Sequence, residues 1–491
     1  MRNSTTHVVA STLLLLCASP AAAQPGGDTL RVVTDVAARV RSIGAIASDS
    51  IWPGFRPDTI PLLFVFPGRG SALFGWSGAP PAGFAPLPGG GAWAQEGAQG
   101  AASTSTTLGG RHAAQVVVRA LDVADLAGTA VHEAFHVFER ASVAPGRRFG
   151  GGENSALTSR YPVFDVAAEA HFALEGRLLD DALRARDPAE RRALARQFIA
   201  VREARHRRLP DEFAQFDRMA EINEGLAEYA LVRTLALLAR DRDTAVAGAA
   251  RSRLARQQQR LRTLTLDTAQ SVRLRFYATG PAMARLLDAL QGPAWKRRLV
   301  DENLALQEAL ALATGYRQGE TALRQEALRR YGARALEAEA RDAVERLRAS
   351  RRARLERVLA RPGLQLVVDA SRMAQHDVGL CGFDPQNILR VSPTVEMHMR
   401  WVRPCNTSTT FGEFNTPVVH DEGAGTLTAV LGSEADVQVT AGGAPLRLAD
   451  GERREAVQDV KISSPAATYQ AERATLERRG RVLRVTLLPP Q

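Results

Sequence analysis

The chain has 491 residues, 45% hydrophobic and 24% charged, with 63 Lys and Arg against 53 Asp and Glu and a formal net charge of +10. That length leaves room for two or three ordinary globular domains, and no stretch beyond the N-terminal leader is long and apolar enough to form a membrane helix. Nearly all the positive charge is arginine, since Lys296 and Lys461 are the only lysines. The arginines alternate with acids, as at 337–357, which reads as a salt-bridged, solvated helix face and argues against a nucleic-acid partner.

Residues 1–23 read as a secretory leader. Arg2 gives a basic start, 8–16 is mostly apolar, and Ala21-Ala22-Ala23 offers a cleavage site before Gln24. Leu16 before Cys17 does not fit a lipid anchor. The expected product is an exported protein, periplasmic or extracellular, with no membrane span. Residues 24–121 form an N-terminal α/β part. An amphipathic helix is predicted at 28–43, a strand at 60–66 closed by Pro67-Gly68, and a second strand at 113–120 around Gln115-Val116-Val117-Val118. Between the strands, 78–110 is rich in Gly, Ala, Pro, Ser and Thr and reads as a long mobile loop.

Residues 122–300 read as a mainly helical domain. Its first helix, 122–140, places Val123, Leu126, Ala127, Ala130, Val131, Ala134, Phe135, Val137 and Phe138 on an apolar side. Asp125, Thr129, His132, Glu133, His136 and Arg140 form a polar stripe. Within it, His132-Glu133-Ala134-Phe135-His136 is the pattern H-E-x-x-H: two imidazoles one turn apart to ligate zinc, and a carboxylate beside them as general base. Such a site needs a third protein ligand if water is to keep the fourth position. Two further helices are predicted near 166–184 and 188–208. They carry Glu169, His171 and Glu175 as possible third ligands and end in the basic cluster Arg202, Arg205, His206, Arg207 and Arg208. Beyond them, Glu221, Glu224 and Glu228 fall on one helix face by i, i+3, i+7 spacing. Glu224 is the preferred ligand.

The combination of H-E-x-x-H with Asn223-Glu224-x-x-x-Glu228 resembles the gluzincins, the thermolysin-like and aminopeptidase-like zinc peptidases. The distant E-G-L-A-E-Y helix is similar to that of secreted bacterial proteins called peptidase MA-like. The resemblance spans roughly residues 50–290 and is specific only at the two metal helices. It implies one zinc per chain, held by His132, His136 and Glu224, with Glu228 hydrogen-bonding a zinc-bound His and Gly225 letting the second helix pack closely on the first. It also implies that a sheet-edge strand beside the first helix, here 113–120, pairs with an extended substrate. The chain departs from metzincins, having Glu139 and Ser142 in place of Gly and His. It departs from short-spaced gluzincins, having Ser155 and Ala156 where Glu is required. The gap between its ligand helices is about four times that of thermolysin, and the inserted helices could wall the cleft or cap it. Gly150-Gly151-Gly152-Glu153-Asn154 is similar to the G-x-M-E-N loop of aminopeptidases, but that loop precedes H-E-x-x-H and this one follows it. An oxyanion donor is also required. Tyr277, just before an apolar helix at 282–290, is the candidate, with Tyr229 and His206 behind it.

Residues 301–362 read as charged helices ended by Arg361-Pro362-Gly363. Residues 363–491 change character, with β-like runs at 364–368, 426–431, 437–440 and 482–488 between turn residues. Cys381 and Cys405 are expected to form a disulfide, stabilising the fold by roughly 3 kcal/mol. This β-rich domain could contact envelope or polymer. The expected fold class is thus α+β: a mainly helical zincin-like catalytic domain with a small N-terminal sheet, followed by a β-rich C-terminal domain. The expected function is a zinc peptidase hydrolysing a peptide or protein substrate with Glu133 as base. The rivals are an inactive zincin-fold binding protein, an envelope-interaction protein and a zinc hydrolase of non-peptide amides.

Overall fold

A computed structural model describes residues 27–95, 102–142, 145–264, 272–384 and 387–489, so the leader at 1–23 lies outside the described residues. The architecture is α+β, and the described residues divide into two compact units, 27–48 with 56–137 and 49–55 with 138–489.

The first unit holds most of α1 (Gly27–Ile51), a six-stranded sheet and most of α2 (Val123–Ala141). Helix α1 buries Val33, Val36, Ala37 and Val40, the spacing of one helical face. The strands are β1 (Leu62–Phe66), β2 (Gly70–Phe74), β3 (Ala85–Pro86), β4 (Ala92–Ala94), β5 (Thr104–Leu108) and β6 (Arg111–Val117), in the order β3-β4-β2-β1-β6-β5. Central β1 is parallel to β6 and buried along its whole length, as its unbroken Leu-Leu-Phe-Val-Phe run requires. Two expectations change here. The Gly-rich stretch 78–110 carries three short strands, because its glycines take positive φ at turns such as Gly89-Gly90-Gly91 while Trp93 packs against Phe66 at 5.8 Å. And β6 is not the edge strand, since β5 covers it in antiparallel register from Thr104↔Gln115 to Leu108↔Arg111.

The second unit begins as a helical array: α3 (Leu157–Arg160), α4 (Val166–Arg184), α5 (Pro188–His206), α6 (Asp211–Ala220), α7 (Leu226–Leu238), α8 (Thr244–Arg262), α9 (Phe276–Gln291), α10 (Trp295–Asp301), α11 (Leu306–Thr314), α12 (Thr321–Tyr331) and α13 (Ala333–Leu359). Asp165 and Asp187 cap α4 and α5, each carboxylate accepting two backbone N–H groups of the first turn. Helix α4 packs on α5, α8, α9 and α13. Arg202 and Arg205, expected in a basic helix end, are instead about 1% exposed. Arg202 pairs with Glu175 at 2.9 Å and Glu221 at 2.7 Å, and Arg205 with Glu175 at 2.6 Å and Asp217 at 2.7 Å. A buried guanidinium is tolerated only with such partners, so the acids on α4, α6 and the turn after α6 account for the burial.

The chain then forms β7 (Gln365–Asp369), β8 (Leu380–Phe383), β9 (Ile388–Arg390), β10 (Val395–His398), β11 (Val402–Pro404), β12 (Thr409–Phe414), β13 (Val418–Asp421), β14 (Thr426–Val430), β15 (Gln438–Ala441), β16 (Ala444–Pro445), β17 (Arg453–Ser464), β18 (Ala467–Arg479) and β19 (Val482–Leu487). The main path is β16-β15-β17-β18-β19-β7-β14-β13-β10-β9, with β12 on β18 and β11 joining β12 to β8. Among the described residues of this sheet, only β19 and β7 pair in parallel. The core includes Leu366, Val368, Leu427, Ile462, Tyr469, Leu476 and Val485. Val358 of α13 packs with Leu389, Met397 and Val419, joining helices and sheet within one unit. Cys381 and Cys405 are disulfide-bonded, as their pairing predicts.

Candidate metal centre

In the first unit, the Asp122 carboxylate accepts the Asp125 N–H at 2.9 Å at the start of α2. Spacing of four residues puts His132 and His136 one turn apart, with ring centroids 4.9 Å apart and planes at 80°. Their Nε2 atoms converge to 3.2 Å. Two nitrogens bound tetrahedrally at 2.0–2.1 Å from one zinc ion would stand about 3.3 Å apart, so the pair fits the metal it is expected to hold. The polar stripe is buried rather than solvated: His132, Glu133 and His136 are 5%, 6% and 8% exposed.

In the second unit, α6 runs into α7 through a π-helical turn, Glu221–Gly225. Such wide turns recur at functional sites, and Glu224 lies inside this one. The turn packs backbone to backbone on α9: a Cβ on Gly225 would meet Gly280 Cα at 2.7 Å. The close approach identified for Gly225 is therefore to α9. Glu224 is buried, and its Oε1 accepts from Asn223 Nδ2 at 3.1 Å and from the Arg273 guanidinium. Arg273 also donates to Glu153, in the Gly150–Asn154 segment. Tyr277 joins this group, its Oη 3.4 Å from Arg273 Nη1. Burial, then the Glu224 charge, push the Tyr277 phenol well above its usual range. Burial also raises the Glu153 carboxyl against the opposing charge of Arg273. Glu228 is buried about one turn beyond Glu224.

The expected common face of Glu221, Glu224 and Glu228 is broken by the wide turn, since i→i+5 bonding rotates Glu221 away from Glu224. Glu221 instead accepts from Arg202 at 2.7 Å and Thr279 Oγ1 at 2.5 Å. The rival ligands are committed elsewhere: Glu169 to Arg275 at 3.0 Å, Glu175 to Arg202 and Arg205, and His171 Nδ1 to the Ala167 carbonyl at 2.6 Å. So are the rival oxyanion donors. Tyr229 donates to Asp288 at 2.7 Å, and His206 Nε2 lies 3.1 Å from Asp217.

No protein-family model, curated protein or solved structure matches this chain.

Among the described residues of the second unit, Glu396, His398 and His420 are buried and could hold a metal ion, one ligand atom of each lying within 4.8 Å of the others. Sequence reasoning missed this second candidate set. It also missed Arg273 and Glu153, which no short motif marks. The one available signal for the second set was Glu396-x-His398 on a strand, where a period of two puts both side chains on one face.

Proposed function

We propose that the chain is an exported zinc-dependent peptidase of gluzincin type. The observation that carries this reading is the buried His132–His136 pair, whose Nε2 atoms converge to the spacing of two zinc ligands with Glu133 in the same helical turn. His132, His136 and Glu224 would hold the ion. When bound, zinc supplies Lewis acidity toward a peptide carbonyl and lowers the pKa of a water at the site. Glu133 takes a proton from that water as its oxygen bonds to the carbonyl carbon. The C–N bond then breaks, and Glu133 returns the proton to the departing amine. Arg273 donates to Glu224 and orients it. Tyr277 offers its hydroxyl to the carbonyl oxygen as negative charge develops there. Glu228 serves to orient a ligating imidazole through its second N–H. Export rests on the leader sequence at 1–23, and a disulfide accords with an oxidising compartment. Among the described residues no helix is long and apolar enough to cross a membrane.

The test compares wild type with Glu133→Gln on a mixed peptide library, with zinc content measured in both. The expected outcome is zinc retained and cleavage reduced by at least 10²-fold, the scale of lost general-base catalysis. Equal cleavage by the variant overturns the mechanism, and wild type that takes up no zinc overturns the site.

A further inference from the structure

The second set of metal-ligand side chains lies in the C-terminal sheet. Strands β10 and β13 pair antiparallel, with Glu396 opposite His420 and His398 opposite Val418. Alternation along β10 puts Glu396 and His398 on one face, and direct cross-strand pairing brings His420 onto the same face. All three are buried, at 5%, 1% and 3% exposure. His398 Nε2 stands 2.9 Å from Glu396 Oε1, and His420 Nδ1 stands 3.7 Å from the same oxygen. These separations bracket the roughly 3.3 Å expected between donors sharing a tetrahedral zinc-sized ion. The far side of His420 is fixed, because its Nε2 meets Asp377 Oδ1 at 2.8 Å. That leaves Nδ1 facing the cluster, the arrangement in which a carboxylate orients a metal-bound imidazole. Phe383 closes one side, its ring 5.6 Å from that of His398. The Arg390 guanidinium stands 3.7 Å from Glu396 Oε2, outside hydrogen-bond range.

A second observation is independent of this geometry. His420 Nδ1, the nitrogen that faces the cluster, is buried without a hydrogen-bond partner. Buried polar atoms are nearly always satisfied, so this one calls for a missing partner. We infer that Glu396, His398 and His420 form a second metal site, which takes a first-row divalent cation of the zinc class and ties β10 to β13, with Asp377 as the positioning residue for His420. Two imidazoles and one carboxylate select such an ion over calcium or magnesium, which favour all-oxygen sites. This site is independent of the reading of His132, His136 and Glu224.

The experiment uses the full mature chain carrying His132→Ala and His136→Ala, stripped with a chelator and titrated with zinc alone. The expected result is one equivalent of zinc bound, a higher Tm with zinc than without, and loss of that equivalent on adding His420→Gln. Gln keeps a hydrogen-bonding group toward Asp377, and Glu396→Gln serves as a second variant should His420→Gln not fold. A folded His132→Ala, His136→Ala protein that binds no zinc overturns the inference. So does retention of the full equivalent in the His420→Gln or Glu396→Gln background, which would place the ion elsewhere.

Discussion

Gly225→Ala tests whether the close approach of the π turn to α9 sets the position of Glu224. A Cβ at 225 would lie 2.7 Å from Gly280 Cα and 3.4 Å from the Phe276 carbonyl oxygen. Carbon atoms rest at about 3.5–4.0 Å, so the two backbones must part by roughly 1 Å. No rotamer can absorb this, because the obstructing atoms are backbone. Overpacking of this kind costs about 1–3 kcal/mol, and the better helix propensity of Ala returns about 0.5–1 kcal/mol. A net loss of about 1–2 kcal/mol should lower Tm by roughly 1–3 °C in a unit of this size. Because Glu224 directly precedes Gly225, zinc should also be released to a chelator more readily than from wild type. Gly280→Ala should behave alike, its Cβ falling 2.4 Å from Gly225 Cα. The double variant should cost less than the two singles together, since the first methyl opens the gap for the second. The measurements are calorimetry and chelator competition on all four proteins. Single variants as stable and as zinc-retentive as wild type would show that the helices part freely and that this contact does not position Glu224.

Asp217 is fully buried among Arg205, Tyr161 and His206. Burial raises its pKa, but the Arg205 charge and the His206 hydrogen bond outweigh that and bring it down to about 2. A carboxyl with a depressed folded-state pKa contributes stability that is present above its unfolded value and lost as pH falls through about 2, here roughly 2 kcal/mol. Urea midpoints from neutral pH down to about 2 should therefore fall less steeply in Asp217→Asn than in wild type. At neutral pH that variant should be about 3–5 kcal/mol less stable, since Arg205 stays buried. Cys381 and Cys405 should give no free thiol in the denatured mature protein until a reductant is added. Reduction of this link, 24 residues apart in sequence, should then remove about 3 kcal/mol from the unfolding free energy read by urea titration.

What the sequence disclosed depended on periodicity and local signals. Helices α2, α4 and α5 were legible within a residue or two, because hydrophobic patterning marked where they run. Strands β17 and β18 were not. Arg453–Ser464 is exposed along most of its length and has no apolar alternation, so its pairing with β18 carries what the pattern did not announce. The π turn was also invisible, because it depends on Gly280, 55 positions away from Gly225. The motif residues of the first metal set could be named because each lies in a short recognisable run. Arg273 could not, since its partners Glu224 and Glu153 lie 49 and 120 residues away. The second metal set escaped because its third member comes from another strand, and strand register is a property of the folded sheet.

The long segment between the two ligand helices was expected to wall or cap a cleft. Its placement within the second unit gives it another task. From α5, Arg202 grips Glu221 with both carboxylate oxygens at 2.7 Å, at the first residue of the π turn. From α4, Glu169 grips Arg275, two residues from both Arg273 and Tyr277. The inserted helices thus anchor the segments that carry Glu224, Arg273 and Tyr277. Charge serves here where hydrocarbon would not. A π turn holds one more residue than an α turn, so relaxing it would rotate one side of the helix by about 100° relative to the other. Apolar side chains could follow that rotation by sliding. Glu221 cannot, because leaving Arg202 would strand its own buried charge at about 3–5 kcal/mol. The ion pair therefore holds the turn open from one side while Gly225 and Gly280 hold it from the other, and Glu224 is fixed between them.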